Sequence, residues 1–546
     1  MPLTHTLARL QAWAAGRAQP LASVRHRYLA PRPLVLVPLT TAGEAGAPLG
    51  AMVGTDPEHP RLLVVPQPRD RALRFAFLAE LAEVVLPHVR AAEDDVTVER
   101  RRETDPVTGQ RVEVDAERCT WAPQILVPNN AGVEYVRLLG RSMRFRRATE
   151  EEPEGGRHPD ARPTPVDDAS LPLLGRWLTH YAERARMPGS SLLLSMTGLL
   201  TRHWATGQSH VEDQHLGALL AWIDPPEGTS GAAAAALRVE QERHPDGVPV
   251  VPPAGPATDP AFDNRRLAPA IDRYDAAVGP AARRRAEAEV RELVASQLRP
   301  TWEAMWRGLE LLRRLPEAAH VPERYTRDCW SYTHHRDRVR AGEPPQPRRD
   351  DAVTAARKLA ARETAQAQLD AQEALDDPLV MAARRMAGEA FAGEVAEVVE
   401  EYSTGRVPRP RPVVTVVTWD GPLPEEGTRV YRALPNGRTQ TGEVVTVGQA
   451  SVAGPDAAAA TAGEGPDEPA ARVAVRLLSG MGRGKVPDPG SVPAVGASVC
   501  WTLFEHTPRG GPTLPEPEHV PWTHGGPVQQ EQQAFEPDPV TSEDFL

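Results

Sequence analysis

Proline and glycine gather in three places along this 546-residue chain, and those places cut it into the pieces that can fold. Residues 148–168 (ATEEEPEGGRHPDARPTPVDD) are acidic and carry almost nothing apolar, so they read as a linker or long exposed loop. Residues 336–350 (RDRVRAGEPPQPRRD) read as a second linker, and residues 507–546 as a disordered acidic tail, with seven acidic side chains against Arg509. The 57 prolines and 42 glycines exceed the usual combined share of about 12%. Yet 40% of the residues are hydrophobic, so the segments between these breaks can bury cores. At roughly 150 residues per domain, a chain this long should hold three or four.

The first segment, residues 1–147, mixes periods. Leu34–Leu39 and Leu62–Pro66 are short apolar runs bounded by proline or glycine, as buried strands are. Leu73, Phe75, Leu78, Leu81, Val84 and Leu86 recur at helical spacing and predict a helix over 71–89. Val96–Val98 and Val112–Val114 flank the polar turn Asp105–Gly109, the pattern of a hairpin, and a strand at 124–127 and a short helix at 133–139 follow. This segment is expected to be an α+β domain.

Residues 169–335 are expected to be helical. Leu173, Leu174, Trp177, Leu178 and Tyr181 form one stripe; further helices are predicted at 192–204, 216–222 and 281–298. Pro300 is expected to open another helix carrying Trp302, Met305, Trp306, Leu309 and Leu312, because proline suits a first turn. The proline-rich stretch 224–262 should cross the surface. Residues 351–405 should form a helical hairpin or arm, 351–376 and 378–402, divided by Asp377-Pro378 as N-cap and first residue.

From residue 406 to 506 the period changes to two. Runs at 413–418, 428–434, 441–447, 472–478 and 497–505 predict five strands of a small β-barrel or sandwich. Val473, Val475, Leu477, Val499, Trp501 and Phe504 are its candidate interior, and 450–470 a disordered loop within it. The fold class is thus α+β and multi-domain: an N-terminal α+β domain, a mostly helical middle, a small C-terminal barrel and an acidic tail.

Function is narrowed mainly by exclusion. Among 62 basic residues only Lys358 and Lys485 are lysines, so lysine-dependent chemistry has two possible seats. Lys358 lies among helix formers with no glycine near it. Lys485 ends Ser479-Gly-Met-Gly-Arg-Gly-Lys485, which imitates a phosphate loop but begins on serine, continues into Val486, and meets Pro487 and Pro489 where the helix should start. Cys119, Cys329 and Cys500 are too far apart for a zinc knuckle or dithiol motif. The net charge of −12 argues against a generally basic nucleic-acid coat. No signal peptide and no apolar run of bilayer length is read, so a soluble, cytoplasmic protein without a membrane association is expected. No cofactor, metal or catalytic residue is assigned.

Several groups still invite chemistry. His203, His210, Glu212, Asp213 and His215 hold metal-ligand residue types, but no HExxH or HxH spacing, and on a helix His210 and His215 would lie about 140° apart. A capped helix start at Ser209 or Asp213 is the expected reading. Asp259, Asp263, Asp272 and Asp275 could converge as in two-metal sites, or cap helices and pair with Arg265, Arg266 and Arg273. Cys329 with His334 and His335 suggests a dyad, against which a solvated helix end is expected. Gly189-Ser190-Ser191 lacks the elbow of a nucleophilic serine and should cap the next helix.

The β region is the one place with support for binding. Arg429, Arg432, Arg438, Arg472, Arg476, Arg483 and Lys485 fall on its strands or turns, with Tyr431 as a stacking face, as in single-strand binding surfaces. Against that, residues 406–510 hold 11 basic and 10 acidic side chains. Asp544, Phe545 and Leu546 are the candidate partner-binding residues of the tail. The expected function is a non-catalytic adaptor subunit of a bacterial multiprotein system with protein partners, a system acting on nucleic acid being one form of it. The alternatives are a metal-dependent hydrolase or nuclease using His203, His210 and His215 or Asp259 and Asp263, and a single-stranded nucleic-acid-binding protein.

Overall fold

The structure is a computed structural model that describes residues 3–104, 110–146, 170–404, 408–449 and 471–508. The first expected linker, the 450–470 loop and the tail residues Asp544, Phe545 and Leu546 lie outside the described residues. The chain divides into two compact units, one within Ala8–Arg362 and one within Glu363–Gly511.

The first unit is organised by β1 (Leu34–Thr41), whose residues are buried on both faces. It pairs antiparallel with β2 (Glu44–Gly54), and β2 with β3 (Arg61–Val64). After a separate hairpin, β4 (Val96–Thr104) with β5 (Arg111–Cys119), the chain adds β6 (Ile125–Val127) parallel to β1 and then β7 (Leu193–Ser195) parallel to β6. The sheet order is β3-β2-β1-β6-β7. Strand alternation sends Leu34 and Leu36 to one core and Val35, Val37 and Leu39 to another.

On the first face lie helices α1 (Arg71–Val89), α2 (Asn130–Met143) and α3 (Ser170–Ala185). Asp70 starts α1 by accepting from the amides of Ala72 and Leu73, 2.8 and 3.1 Å away. The second face is covered by helix α4 (Pro280–Arg313) and by the short helices Met196–His203 and Leu216–Ile223. A fifth helix, α5 (Val321–Arg340), adds Cys329 and Tyr332 to the first core.

The expected α+β and helical segments therefore share two cores instead of dividing between them. Helices α2 and α3, on opposite sides of the undescribed 147–169 stretch, cross at Gly140 and Gly175. A Cβ on Gly140 would stand 2.5 Å from the Thr179 nitrogen, and one on Gly175 would overlap the Arg144 backbone, so only glycine permits this approach.

Three local expectations are corrected, and one strand was not foreseen. The run read as a helix from 192 contributes strand β7 before its helix begins at Met196. Strand β2, rich in glycine and alanine, shows no β-branched pattern and is held by its neighbours on both sides. Pro300 lies inside the continuous helix α4, because the apolar stripe Val290, Val294, Leu298, Trp302, Met305 and Leu309 stays on the core through the proline. Helix α5 continues to Arg340, so the second linker begins only at Ala341.

In the second unit, helices α6 (Ala352–Asp376, its last residues) and α7 (Pro378–Met386) meet at Asp377, which accepts from the Leu379 amide. The predicted second helix ends sixteen residues early. Gly388, at φ +73°, takes the left-handed turn that closes α7, and the chain becomes strand β8 (Ala390–Val399). The five predicted strands follow as β9 (Val413–Thr418), β10 (Arg429–Ala433), β11 (Thr439–Gln449), β12 (Ala471–Leu477) and β13 (Ser498–Thr502). They close a six-stranded barrel in the order β8-β9-β12-β11-β10-β13. Val473, Val475, Leu477, Val499 and Trp501 fill its interior with Phe391, Val395 and Val414; Phe504 stays half-buried.

Gly175→Ala is expected to lower stability to urea by roughly 1–3 kcal/mol, the range for overpacking a close contact. An unchanged midpoint would show that α2 and α3 can separate without cost.

Candidate functional site

In open sheets with parallel strands, ligands collect beyond the carboxyl ends of the strands. Here β6 and β7 end together at Val127 and Ser195, and β1 runs on past the position level with Val127 to Thr41. Part of that edge is closed by the chain itself. The Thr40 amide donates to the Pro256 carbonyl at 2.7 Å, and the Thr258 amide returns a bond to the Thr40 carbonyl at 3.0 Å. Asn129, after β6, donates through Nδ2 to the Gly255 carbonyl at 2.7 Å. The proline-rich stretch expected to cross the surface thus reaches down to the sheet.

Beyond this plug a cavity of about 430 Å³ opens beside the β1–β2 turn. Its acidic wall is Glu44, Asp263, Asp272 and Asp275, and its apolar floor includes Pro68, Leu267 and Ile271. Asp263 is held in place by the Ala42 amide at 2.8 Å and the Thr258 hydroxyl at 2.6 Å. Asp275 accepts from Gln67 Nε2 at 2.6 Å, and Glu44 pairs with Arg69 at 3.1 Å. Asp272 is exposed. A single turn of π-helix, Asp263–Leu267, carries Asp263, and the α-helix Ala268–Ala276 that continues it carries Asp272 and Asp275. Three of the four predicted aspartates therefore converge; Asp259 instead caps the turn at Pro260 by accepting from the Ala261 amide. Their expected arginine partners go elsewhere, Arg266 to Asp246 and Arg273 to Glu289.

The histidine group disperses. Ser209 and Glu212 bond each other's amides reciprocally, a capping box that holds the turn. His215 accepts from the Ala218 amide as N-cap of the next helix. His203 bonds the Leu199 carbonyl, and His210 meets Arg9 at 3.3 Å. Asp213 is buried and accepts from Thr206 and Gln208. Among the described residues no group of three or more His, Cys, Asp or Glu is placed to hold a metal ion.

Ser190 and Ser191 do not cap a helix. The Ser190 hydroxyl and the Ser191 amide both donate to Asp328, at 2.7 and 2.6 Å, and Arg184 completes the set at 2.8 Å. The Cys329 thiol is pushed up to about 12 by burial, far from a reactive thiolate. The expected solvated helix end also fails at His335, which is buried, while His334 is exposed. His335 stacks on His180 of α3 at 4.2 Å, with 9° between the rings, and meets the edge of Trp177 at 4.6 Å.

On the barrel, alternation separates the predicted binding residues. Arg432 turns inward, lying 5.5 Å over the Trp501 ring and donating to Gln440 Oε1 and the Ser491 carbonyl. Its neighbour Tyr431 turns outward and donates to Glu505 at 3.2 Å. Arg476 and Arg429 flank Glu443 in one cross-strand row, so charge alternates there, and Arg476 also bonds Glu401 at 3.3 Å. Arg472, Arg483 and Lys485 are exposed. Arg438 and Tyr431 line a shallow polar groove with Glu505 and His506. The imitation phosphate loop packs Met481 into the barrel core, and no helix follows it.

No protein-family model matches the chain, and no curated protein or solved structure is detectably similar to it. Among the described residues no helix is long and apolar enough to cross a membrane.

Burial lowers the pKa of His335 to about 3 and that of His180 well below the ordinary value, with Arg176, Arg184 and Arg338 adding to the effect. An unfolded histidine titrates near 6.5, so below that pH the unfolded chain binds protons that these folded rings refuse. Stability should therefore be full above pH 6.5 and fall with acidification, by up to about 1.4 kcal/mol per pH unit for each ring. His335→Phe should flatten the slope between pH 7 and 5 in thermal melts; an equal slope would acquit the imidazole.

Proposed function

We propose that the protein is an interaction subunit of a multiprotein system, and that the acidic cavity beside the β1–β2 turn receives a basic side chain from a protein partner. The observation that carries this reading is the pairing of wall and floor. Glu44, Asp263, Asp272 and Asp275 face the cavity over Pro68, Leu267 and Ile271, with Arg69 as its one cation. An arginine or lysine has the matching build, an apolar stem that lies on apolar surface and a charged head that reaches carboxylates. A metal ion would need a donor set that the described residues do not assemble.

Reading the chain as an adaptor also accounts for the fate of its candidate catalytic groups. Ser190 is tied to Asp328, Cys329 is buried, and each of His203, His210 and His215 serves local structure. Nucleic-acid contact through the barrel is the competing reading, supported by exposed Arg438 beside Tyr431 and by Arg472, Arg483 and Lys485. The alternation of Arg476, Glu443 and Arg429 weakens it, since phosphates favour an uninterrupted basic face.

The test is copurification of the full chain from its own cells at low salt, with and without nuclease, in parallel with the Asp272→Asn/Asp275→Asn double variant. The expected result is a stoichiometric protein partner that survives nuclease and binds the variant about tenfold or more weakly, as loss of a buried ionic anchor implies. A partner held equally by the variant, or one released by nuclease, would overturn the proposal.

A further inference from the structure

The helix Leu3–Ala15 turns its polar side to the protein and its apolar side to solvent. Thr4, His5, Ala8, Arg9 and Ala12 lie on the inward side; Ala12 is fully buried, and Arg9 donates to the Gln208 carbonyl and meets His210 at 3.3 Å. Gly207 seats the helix, since a Cβ there would stand 2.9 Å from the Trp13 Cα. On the opposite side Leu3, Leu7, Leu10 and Trp13 form a row at helical spacing and are 61, 40, 58 and 70% exposed. A surface helix ordinarily buries its apolar stripe and shows water its polar one. A helix held the other way round, with four large apolar side chains in line, calls for a cover over them.

The size of the row decides between a separate partner and a tethered one. Four side chains on one 13-residue helix fall well short of the roughly 800 Å² per partner that a stable complex of separate chains buries. A segment of the same chain needs less, because its tether holds it at an effective concentration in the millimolar range. Such a segment is at hand. Residues 509–546 follow Pro508, whose carbonyl accepts from Gln368 Nε2 at 3.3 Å in the compact unit that also includes Leu3 and Leu7. Roughly 90 Å of extended chain leads from Pro508 to Phe535, more than the diameter of a domain of this size. The large apolar side chains of the segment include Phe535, Phe545 and Leu546, set among seven acidic residues against Arg509. Charge matches as well: residues 1–43 hold five arginines and no acidic residue in a chain of net charge −12, and Arg17 stands exposed just past the helix. A bilayer is the poorer cover, because Arg9 points away from the apolar side, where lipid headgroups would need it. We propose that residues 509–546 fold back and lay Phe535 and Phe545 over the row of Leu3, Leu7, Leu10 and Trp13.

No residue of this helix lines the acidic cavity, so either proposal can fail without the other. Hydroxyl-radical footprinting of the full chain, read by mass spectrometry, compares side-chain oxidation in the parent, in Phe535→Ser/Phe545→Ser and in Leu7→Glu/Leu10→Glu. Trp13 is expected to be oxidised about fivefold or more slowly in the parent than in the phenylalanine variant, as docking from a tether at millimolar effective concentration implies. Phe535 and Phe545 should be slowed by a similar factor in the parent relative to the leucine variant. The phenylalanine variant leaves the helix itself untouched, so its footprint reads the cover and not the folding of the helix. The protection of Trp13 should be the same at low and high protein concentration and without lipid. Equal oxidation of Trp13 in the parent and the phenylalanine variant would overturn the proposal. So would protection that vanishes on dilution, which marks a second copy as the cover, or protection that arises only with vesicles of anionic lipid.

Discussion

The first unit depends on a single strand being dry on both sides. Leu34 to Leu39 in β1 have no face left for water, so each side must be roofed by helices, and the two roofs become two cores. Residues as far apart as Leu29 and Tyr332 are drawn into one or the other, while Trp222, Ala232, Ala235 and Ala236 form a small cluster of their own. The cost of burying the polar groups this requires is met by saturating them. Gln124, nearly inaccessible, accepts from the Ala30 amide and donates to the carbonyls of Tyr28 and Ser191, bonding the entry of β1 to that of β7. Asp328 does the same for α5, α3 and the turn before β7. A serine pair that reads as a possible nucleophile is thereby spent on packing.

The barrel solves the same problem by closure. Its interior is filled by valines, Phe391 and Trp501, and its strands leave no open edge. Arg432 belongs to that closure, since its guanidinium bonds Gln440 and the Ser491 carbonyl and covers the indole. Burial even lowers its affinity for a proton. An arginine counted as surface charge is thus part of the barrel's end, and Arg429 and Arg476 alternate with Glu443.

Function, on this view, sits at the margins of the helical layers. The acidic cavity is assembled from a β-turn, a π-helical turn and α-helical aspartates around the sheet edge that the chain only partly plugs. The histidine pair lies where α3 and α5 bring aromatic rings together. Both are made by residues far apart in the chain. Neither resembles a local motif, which is why motif spacing assigned catalysis nowhere.

What the sequence determined by itself was everything with a local physical cause. Helix α1 follows from a 3.6-residue stripe and the Asp70 cap, and the five later barrel strands from alternation over Val413–Thr418 and its successors. The grouping of Asp263, Asp272 and Asp275 was legible because one helical segment carries all three. Tertiary structure decided whatever required a partner distant in sequence. Strand β2 has weak propensity and exists because β1 and β3 flank it; β8 reads as helix until closure with β13 claims it. Gly140 and Gly175 look like helix-weakening residues until the crossing of α2 with α3 shows that nothing larger fits. His335 looks like a solvated helix end until α3 supplies His180 and Trp177 to cover it. Periodicity records which way a residue faces along its own element, whereas burial, pairing and charge environment depend on what the rest of the chain places opposite.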